Sequence, residues 1–185
     1  IDYLKSLKIF DTDFLEYLRG FHFTGDIYAI PEGTIIFPRE PLIKVIAPVM
    51  EAQLIETALL NILNHQSLIA TKASRVVYAA KGDGIMEFGL RRAQGPDAGI
   101  YGARAAMIGG CIGTSNVLTG QMFDVPVKGT HAHSWIMSFP DEYTAFKAYA
   151  NLYPDACILL VDTYDVLKSG VPNAIRVFKE MQAEG

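Results

Sequence analysis

Apolar side chains at Leu4, Leu7, Phe10, Phe14, Leu15 and Leu18 recur at helical spacing, which predicts one or two short helices over Ile1 to Arg19, broken near Phe10-Asp11-Thr12-Asp13. From Phe21 to Pro48 the texture changes to short β-rich runs. Ile27-Tyr28-Ala29-Ile30, Thr34-Ile35-Ile36-Phe37 and Leu42-Ile43-Lys44-Val45-Ile46 are punctuated by Pro31-Glu32-Gly33 and Pro38-Arg39-Glu40-Pro41, the pattern of a small antiparallel sheet. Met50 to Lys81 returns to the helical period, with Leu54, Ile55, Ala58, Leu59, Ile62 and Leu63 on one face and Glu51, Glu56, Asn61 and His65 on a polar one. A long helix or a helix pair is expected there.

After Gly82-Asp83-Gly84 short apolar runs alternate with amphipathic ones. The pattern predicts a strand over Ile85 to Phe88, a helix around Ile100 to Gly109, a short strand and a helix near Val117, a strand over Val125 to Lys128, a helix over Glu142 to Leu152, a strand over Cys157 to Val161 and a helix over Asn173 to Met181. Such alternation argues for parallel strands with helical crossovers, whose ligand groups lie at the carboxyl ends of the strands. The segments just beyond the predicted strands are Gly89-Leu90-Arg91-Arg92, Gly113-Thr114-Ser115-Asn116, Gly129-Thr130-His131-Ala132-His133 and Asp162-Thr163-Tyr164-Asp165, all polar or charged after mostly apolar strands.

Composition narrows the classes. Of 185 residues, 50% are apolar, enough for a substantial core in one domain or parts of two. Sixteen basic against 20 acidic residues leave a net charge of −4 without a run of one sign, so no footprint for nucleic acid or anionic membrane is present. Ala156 to Val161 is too short to span a bilayer, and Ile1-Asp2-Tyr3-Leu4-Lys5 does not resemble a signal peptide. Cys111 and Cys157 have neither zinc-site nor disulfide-framework spacing, which suits a reducing cytoplasm. The first residue is not methionine and the chain stops just after the amphipathic stretch Val171 to Met181, so a piece of a longer protein is expected.

Four groups could carry chemistry. Arg91 and Arg92, with Phe88 beside them, could hold phosphates through planar guanidinium donors; a structural ion pair is the plain alternative. Gly109-Gly110-Cys111-Ile112-Gly113-Thr114-Ser115-Asn116 could bring backbone N–H groups to an anion if a helix starts at Asn116 or Val117, but it matches neither the Walker nor the dinucleotide pattern, and a close-packed glycine turn competes. His131 and His133 would point to one side of an extended segment, a metal-ligand spacing that still needs Asp162 and Asp165 to complete a site. His133 could instead be a nucleophile toward phosphorus, since neutral imidazole has a free lone pair, or a histidine satisfied by hydrogen bonds. Asp162 could serve ribose hydroxyls or Mg²⁺ through water, whereas Asp165 is better read as a helix cap.

The runs Glu87 to Gly99 (EFGLRRAQGPDAG), Gly129 to Trp135 (GTHAHSW) and Leu160 to Asp165 (LVDTYD) together resemble those of nicotinate phosphoribosyltransferases in order and spacing, and the resemblance extends through Gly25-Asp26-Ile27-Tyr28 and Asn64-His65-Gln66. It implies an α/β type II phosphoribosyltransferase fold: a small α/β domain with an antiparallel sheet, then an irregular α/β barrel with its active site at the strand ends. Residues 1–81 would belong to the first domain with its helical connection, and residues 82–185 to the early strands of the barrel. The implied reaction is ATP-coupled transfer of phosphoribosyl from 5-phosphoribosyl 1-diphosphate to nicotinate, the entry step from nicotinate to NAD, with Mg²⁺ as cofactor, in a cytoplasmic homodimer.

By motif, His133 corresponds to the phosphorylated histidine, Thr130 to a nicotinate-contacting position, Arg91 to an arginine facing the phosphate or diphosphate, and Phe88 to the aromatic that stacks on the pyridine ring. Asp162 corresponds to an acidic position near the ribose. Ser115 carries over to nicotinate and Arg92 to the phosphates. Nothing here resembles the acidic phosphoribosyl-diphosphate loop of the other large transferase class. An aromatic residue from near the family's N-terminus and later phosphate sites fall outside these 185 residues, so the chain alone is expected not to turn over. The competing readings are a nicotinamide or quinolinate transferase, a metal-dependent hydrolase using His131, His133 and Asp162, and a non-catalytic binding remnant.

Overall fold

The broken helical pattern at the start of the chain folds as α1 (Asp2–Ser6) and α2 (Thr12–Arg19) in the computed structural model, which describes residues 1–184. Asp11 makes the break: its carboxylate accepts the Phe14 N–H at 2.7 Å and caps α2. The chain forms two compact units, Ile1–Val127 and a second that begins at Lys128.

In the first unit, β1 (Asp26–Ala29) and β2 (Ile43–Ile46) pair antiparallel with Asp26 opposite Ile46. The expected third strand, Thr34 to Phe37, does not form. The groups at its two ends are taken up locally, Thr34 N–H by Pro31 O, Phe37 N–H by the Glu40 carboxylate and Phe37 O by Glu40 N–H, which turns the run back on itself instead of into a ladder. The apolar period from Met50 produces one helix, α3 (Val49–Ala79), whose 31 residues run about 46 Å at the helical rise. Glu51, expected on its polar face, is buried instead, accepting the Thr24 N–H at 2.7 Å and the Thr24 hydroxyl at 3.0 Å. That pair fixes the start of α3 to the chain entering β1.

Against α3 packs α4 (Pro96–Ile108), which starts four residues before the expected Ile100. Gly95 permits this start: at φ 101° it turns the chain in a region that favours glycine, and Pro96 then occupies the first helical position. The buried residues of α4 are Ile100 and the small Gly99, Gly102, Ala103, Ala105 and Ala106, the small ones permitting close helix approach, and His65 of α3 donates to Ala98 O at 3.1 Å. Short parallel strands β3 (Met86–Glu87) and β4 (Gly113–Thr114) pair with Glu87 opposite Thr114, and Thr114 forms a parallel bridge to Val127. The expected strand at Ile85 to Phe88 is therefore present in shortened form, whereas Val125 to Lys128 forms no strand and contributes only the single bridge at Val127. Asn116 caps α5 (Val117–Phe123), accepting the Thr119 N–H at 3.3 Å.

In the second unit, α6 (His133–Met137), α7 (Glu142–Leu152) and α8 (Val171–Glu184) enclose a core of Ile136, Ala145, Phe146, Ala150, Ala174 and Val177. The α7 bounds are those the sequence pattern predicts. The expected strand Cys157 to Val161 begins with extended backbone at Cys157 but enters no ladder among the described residues. The physical reason is visible at Leu160, whose N–H is satisfied by a histidine side chain rather than by a strand carbonyl. Val161 lies against a π-helical turn, Val166–Gly170, so closely that a Cβ on Gly170 would fall 1.8 Å from Val161 O. Among the described residues no helix is long and apolar enough to cross a membrane.

Candidate active site

The first unit brings four of the predicted residues to two adjoining strand ends. Glu87, the last residue of β3, accepts the Thr114 hydroxyl at 2.6 Å with one carboxylate oxygen and the Gly89 N–H with the other. The Thr114 hydroxyl in turn accepts the Asn116 N–H at 3.0 Å, and Ser115 N–H donates to Glu87 O at 3.1 Å. This network locks the carboxyl ends of β3 and β4 together. It leaves Phe88 45% exposed and delivers Arg91 and Arg92 to the surface on a 3₁₀ turn, Leu90–Arg92, with Ser115 half-buried beside β4. Neither arginine has an ion-pair partner among the described residues, so the structural-pair alternative finds no support and two guanidinium groups are exposed to solvent.

The second unit assembles the others. His133 is the first residue of α6, with Ala132 in extended conformation before it. Its Nδ1 lies 3.2 Å from Thr163 Oγ1, and its Nε2 lies 3.8 Å from Asp162 Oδ1, while half of the side chain (49%) remains exposed. Thr130, in the same loop, is exposed. The arrangement is a reachable imidazole whose ring plane is set by a hydroxyl on one side and which has a carboxylate available to pair with it when it carries charge.

His131 departs from expectation. The two histidines were to share one side of an extended segment, but the chain turns into α6 at His133, and His131 points inward at 8% exposure. Its Nε2 accepts the Leu160 N–H at 3.1 Å, and its ring meets Tyr149 edge-on at 4.7 Å and Phe146 at 6.0 Å. Burial holds its pKa below the ordinary imidazole value, outweighing a backbone hydrogen bond at Ala132 that acts the other way. The ligand set of a metal-dependent hydrolase is thereby divided, and among the described residues no group of three or more His, Cys, Asp or Glu is placed to hold a metal ion. Asp165 is a cap, accepting the Leu167 N–H at 3.1 Å and the Lys168 N–H at 2.9 Å. Burial pushes both thiols, Cys111 and Cys157, up, away from the reactive thiolate.

Three contributors escape sequence reasoning. Glu87 reads as an ordinary strand-end acid, Thr163 as a turn residue and His131 as half of a ligand pair. Each takes its role from a partner 27 to 30 residues away, and no local spacing signals that.

Comparison with known proteins agrees with this geometry. Residues 1–64 match the profile described as nicotinate phosphoribosyltransferase (NAPRTase) N-terminal domain, and residues 84–169 that of the nicotinate phosphoribosyltransferase (NAPRTase) family. The chain is 55% identical to a nicotinate phosphoribosyltransferase of Bacillus subtilis (strain 168), over 97% of this chain and 39% of the relative. It is 49% identical to nicotinate phosphoribosyltransferase pncB2 of Mycobacterium tuberculosis (strain ATCC 25618 / H37Rv), over 97% and 38%. The chain thus spans about two fifths of the length of these relatives.

Among solved structures, human nicotinic acid phosphoribosyltransferase superposes with a TM-score of 0.88 at 34% identity, covering 100% of this chain and 47% of that one. Nicotinate-nucleotide pyrophosphorylase from Pyrococcus furiosus does so with a TM-score of 0.68 at 37% identity, covering 77% and 37%. The mixed α/β fold with its small antiparallel sheet is the one expected from the sequence. With both family profiles matched in order, and close relatives aligned over nearly all of its residues, the chain belongs to the nicotinate phosphoribosyltransferase family.

Proposed function

We propose that the protein carrying this sequence joins nicotinate to 5-phosphoribosyl 1-diphosphate, releasing diphosphate and forming nicotinate mononucleotide, and that ATP drives the reaction through phosphorylation of His133. The observation that carries the reading is the exposed His133 ring set between Thr163 and Asp162, in the run Gly129 to Trp135. A lone pair on neutral imidazole attacks the γ-phosphorus of ATP, an N–P bond forms, and the bond to the β-phosphate oxygen breaks as ADP departs. Asp162 stabilises the charge the ring acquires.

In the transfer step, departure of diphosphate leaves positive charge on the ribose. Catalysis then needs donors on the leaving group and a carboxylate near the sugar. Arg91 and Arg92 suit the first role and Asp162 the second; Phe88 suits stacking on the pyridine ring, and Thr130 and Ser115 suit contacts to nicotinate. Mg²⁺ keeps several waters and binds phosphates with one or two carboxylates, so it fits here as a companion of the substrates with Asp162 as the available carboxylate. The divide between a first domain over residues 1–81 and a barrel from residue 82 is supported by where the two family profiles fall. A cytoplasmic homodimer completes the reading.

The test is labelling with γ-phosphate-tagged ATP. In a protein of the relatives' full length that carries this sequence, label should enter the parent at His133 and be lost in His133→Ala, together with the stimulation of product formation by ATP. Unaltered labelling of the variant would remove the claim.

A further inference from the structure

The paired histidines have separate tasks, and the buried one is unassigned. We propose that His131 is a positioning residue, a side-chain clip that holds the loop bearing Thr130 and His133 in register with the segment bearing Asp162 and Thr163. The inference rests on the function proposed for His133.

The geometry leaves the clip little freedom. The apolar segment from Cys157 to Val161 has the sequence of a strand and would ordinarily be held by a neighbouring one, yet Leu160 N–H donates to His131 Nε2 at 3.1 Å. Leu160 stands two residues before Asp162, and His131 two residues before His133, so the bond ties the two segments together within two residues of both functional groups. The ring cannot swing away, because Tyr149 meets it edge-on at 4.7 Å and Phe146, fully buried, closes in at 6.0 Å. To accept from Leu160, Nε2 must be unprotonated, so the neutral ring carries its proton on Nδ1. A slip of this bond would carry Asp162 and Thr163 away from His133 Nε2 and Nδ1. Contacts of 3.2 and 3.8 Å do not survive displacement by an ångström.

The clip can be separated from mere filling of space by two variants with opposite properties. His131→Gln keeps a hydrogen-bond acceptor close to the position of Nε2 and loses the ring. His131→Phe keeps the ring and loses the acceptor. In the full-length protein, both would be checked for parental melting temperature, then assayed for turnover and for hydrogen exchange at the Leu160 amide.

Positioning predicts that His131→Phe loses at least tenfold in kcat with less than threefold change in KM, and that its Leu160 amide exchanges at least tenfold faster. His131→Gln should restore both to within threefold of the parent. The reverse order, with Phe tolerated and Gln impaired, or an unchanged Leu160 exchange rate in His131→Phe, would overturn the proposal. Should the parent itself neither turn over nor label at His133, it is the proposed function that fails, and the exchange measurement alone then decides for or against the clip.

Discussion

At the scale of single residues, burial decides what each ionisable group can do. His131 and His133 stand two apart, yet one is 8% exposed and the other half open to solvent. The same imidazole is therefore a structural acceptor in one place and a reachable base in the other. The cost of burying His131 falls on its charged form. Its folded pKa lies below the ordinary imidazole value, so the unfolded chain binds a proton more readily as pH falls. The stabilising contribution is thus complete above about pH 6.5 and is lost as pH drops from there through the folded pKa, with a limiting slope of about 1.4 kcal/mol per pH unit. Urea midpoints at pH 7.5 and 5.5 should show a loss of stability on acidification that is smaller in His131→Gln, which retains an acceptor and cannot titrate. Equal losses in parent and variant would contradict it.

At the scale of elements, most of the architecture follows from period and punctuation, and the exceptions have local causes. The helices α2, α5 and α7 begin where Asp11, Asn116 and Asp141 offer a side-chain acceptor to a backbone N–H three residues on, a signal the sequence displays openly. The run Thr34 to Phe37 has equal β character to β1 and β2, but Pro31 O and the Glu40 carboxylate capture the donors at its two ends. Cys157 to Val161 reads as a strand because its residues are apolar and β-favouring, while the acceptor that satisfies Leu160 is 29 residues distant and not a backbone atom.

The close approach of the π-helical turn to that segment is invisible in the sequence, since Gly170 resembles any turn glycine. Its lack of a side chain is what permits the contact with Val161 O. Gly170→Ala should therefore destabilise the protein by about 1–3 kcal/mol through overpacking, seen as a melting point several degrees lower. Gly129→Ala, where a Cβ meets nothing within 4 Å, should melt with the parent. Matching melting points for both variants would contradict the account.

At the scale of the whole molecule, the candidate site was legible as residue types at strand ends. Its partners were not. Arg91, Thr130, His133 and Asp162 announce themselves as polar residues after apolar runs, whereas the Glu87–Thr114 lock and the His131 clip depend on tertiary neighbours. Apolar exposure is also a property of the whole: Ile35 is 83% and Leu167 80% exposed, and in the first unit a groove of about 310 Å³ is lined by Ile43, Val45, Leu59, Leu60 and Leu63. Surface of this kind drives association. The 185-residue chain produced alone should bind a hydrophobic fluorescent dye and scatter light as a self-associating species; a dye-silent, monodisperse solution would show that these side chains find cover within the chain.

The segment from Asp162 to Asp165 has a further consequence. Its first carboxylate sits beside the His133 ring and its last is consumed in starting the next turn, by accepting the Leu167 and Lys168 amides. Both ends are pinned, so the stretch works as a ruler of fixed length. A single inserted or deleted residue there would shift the acid off the ring or unseat the turn, whereas the stretch around Ile35, which lies past the Glu32 carboxylate held by Arg104 and bonds only locally through Thr34, Phe37 and Glu40, has slack to absorb one. Variation in length is therefore open to this protein near Ile35 and closed between the two aspartates, even where the exposed Tyr164 is exchanged and Thr163 keeps its hydroxyl on the His133 ring.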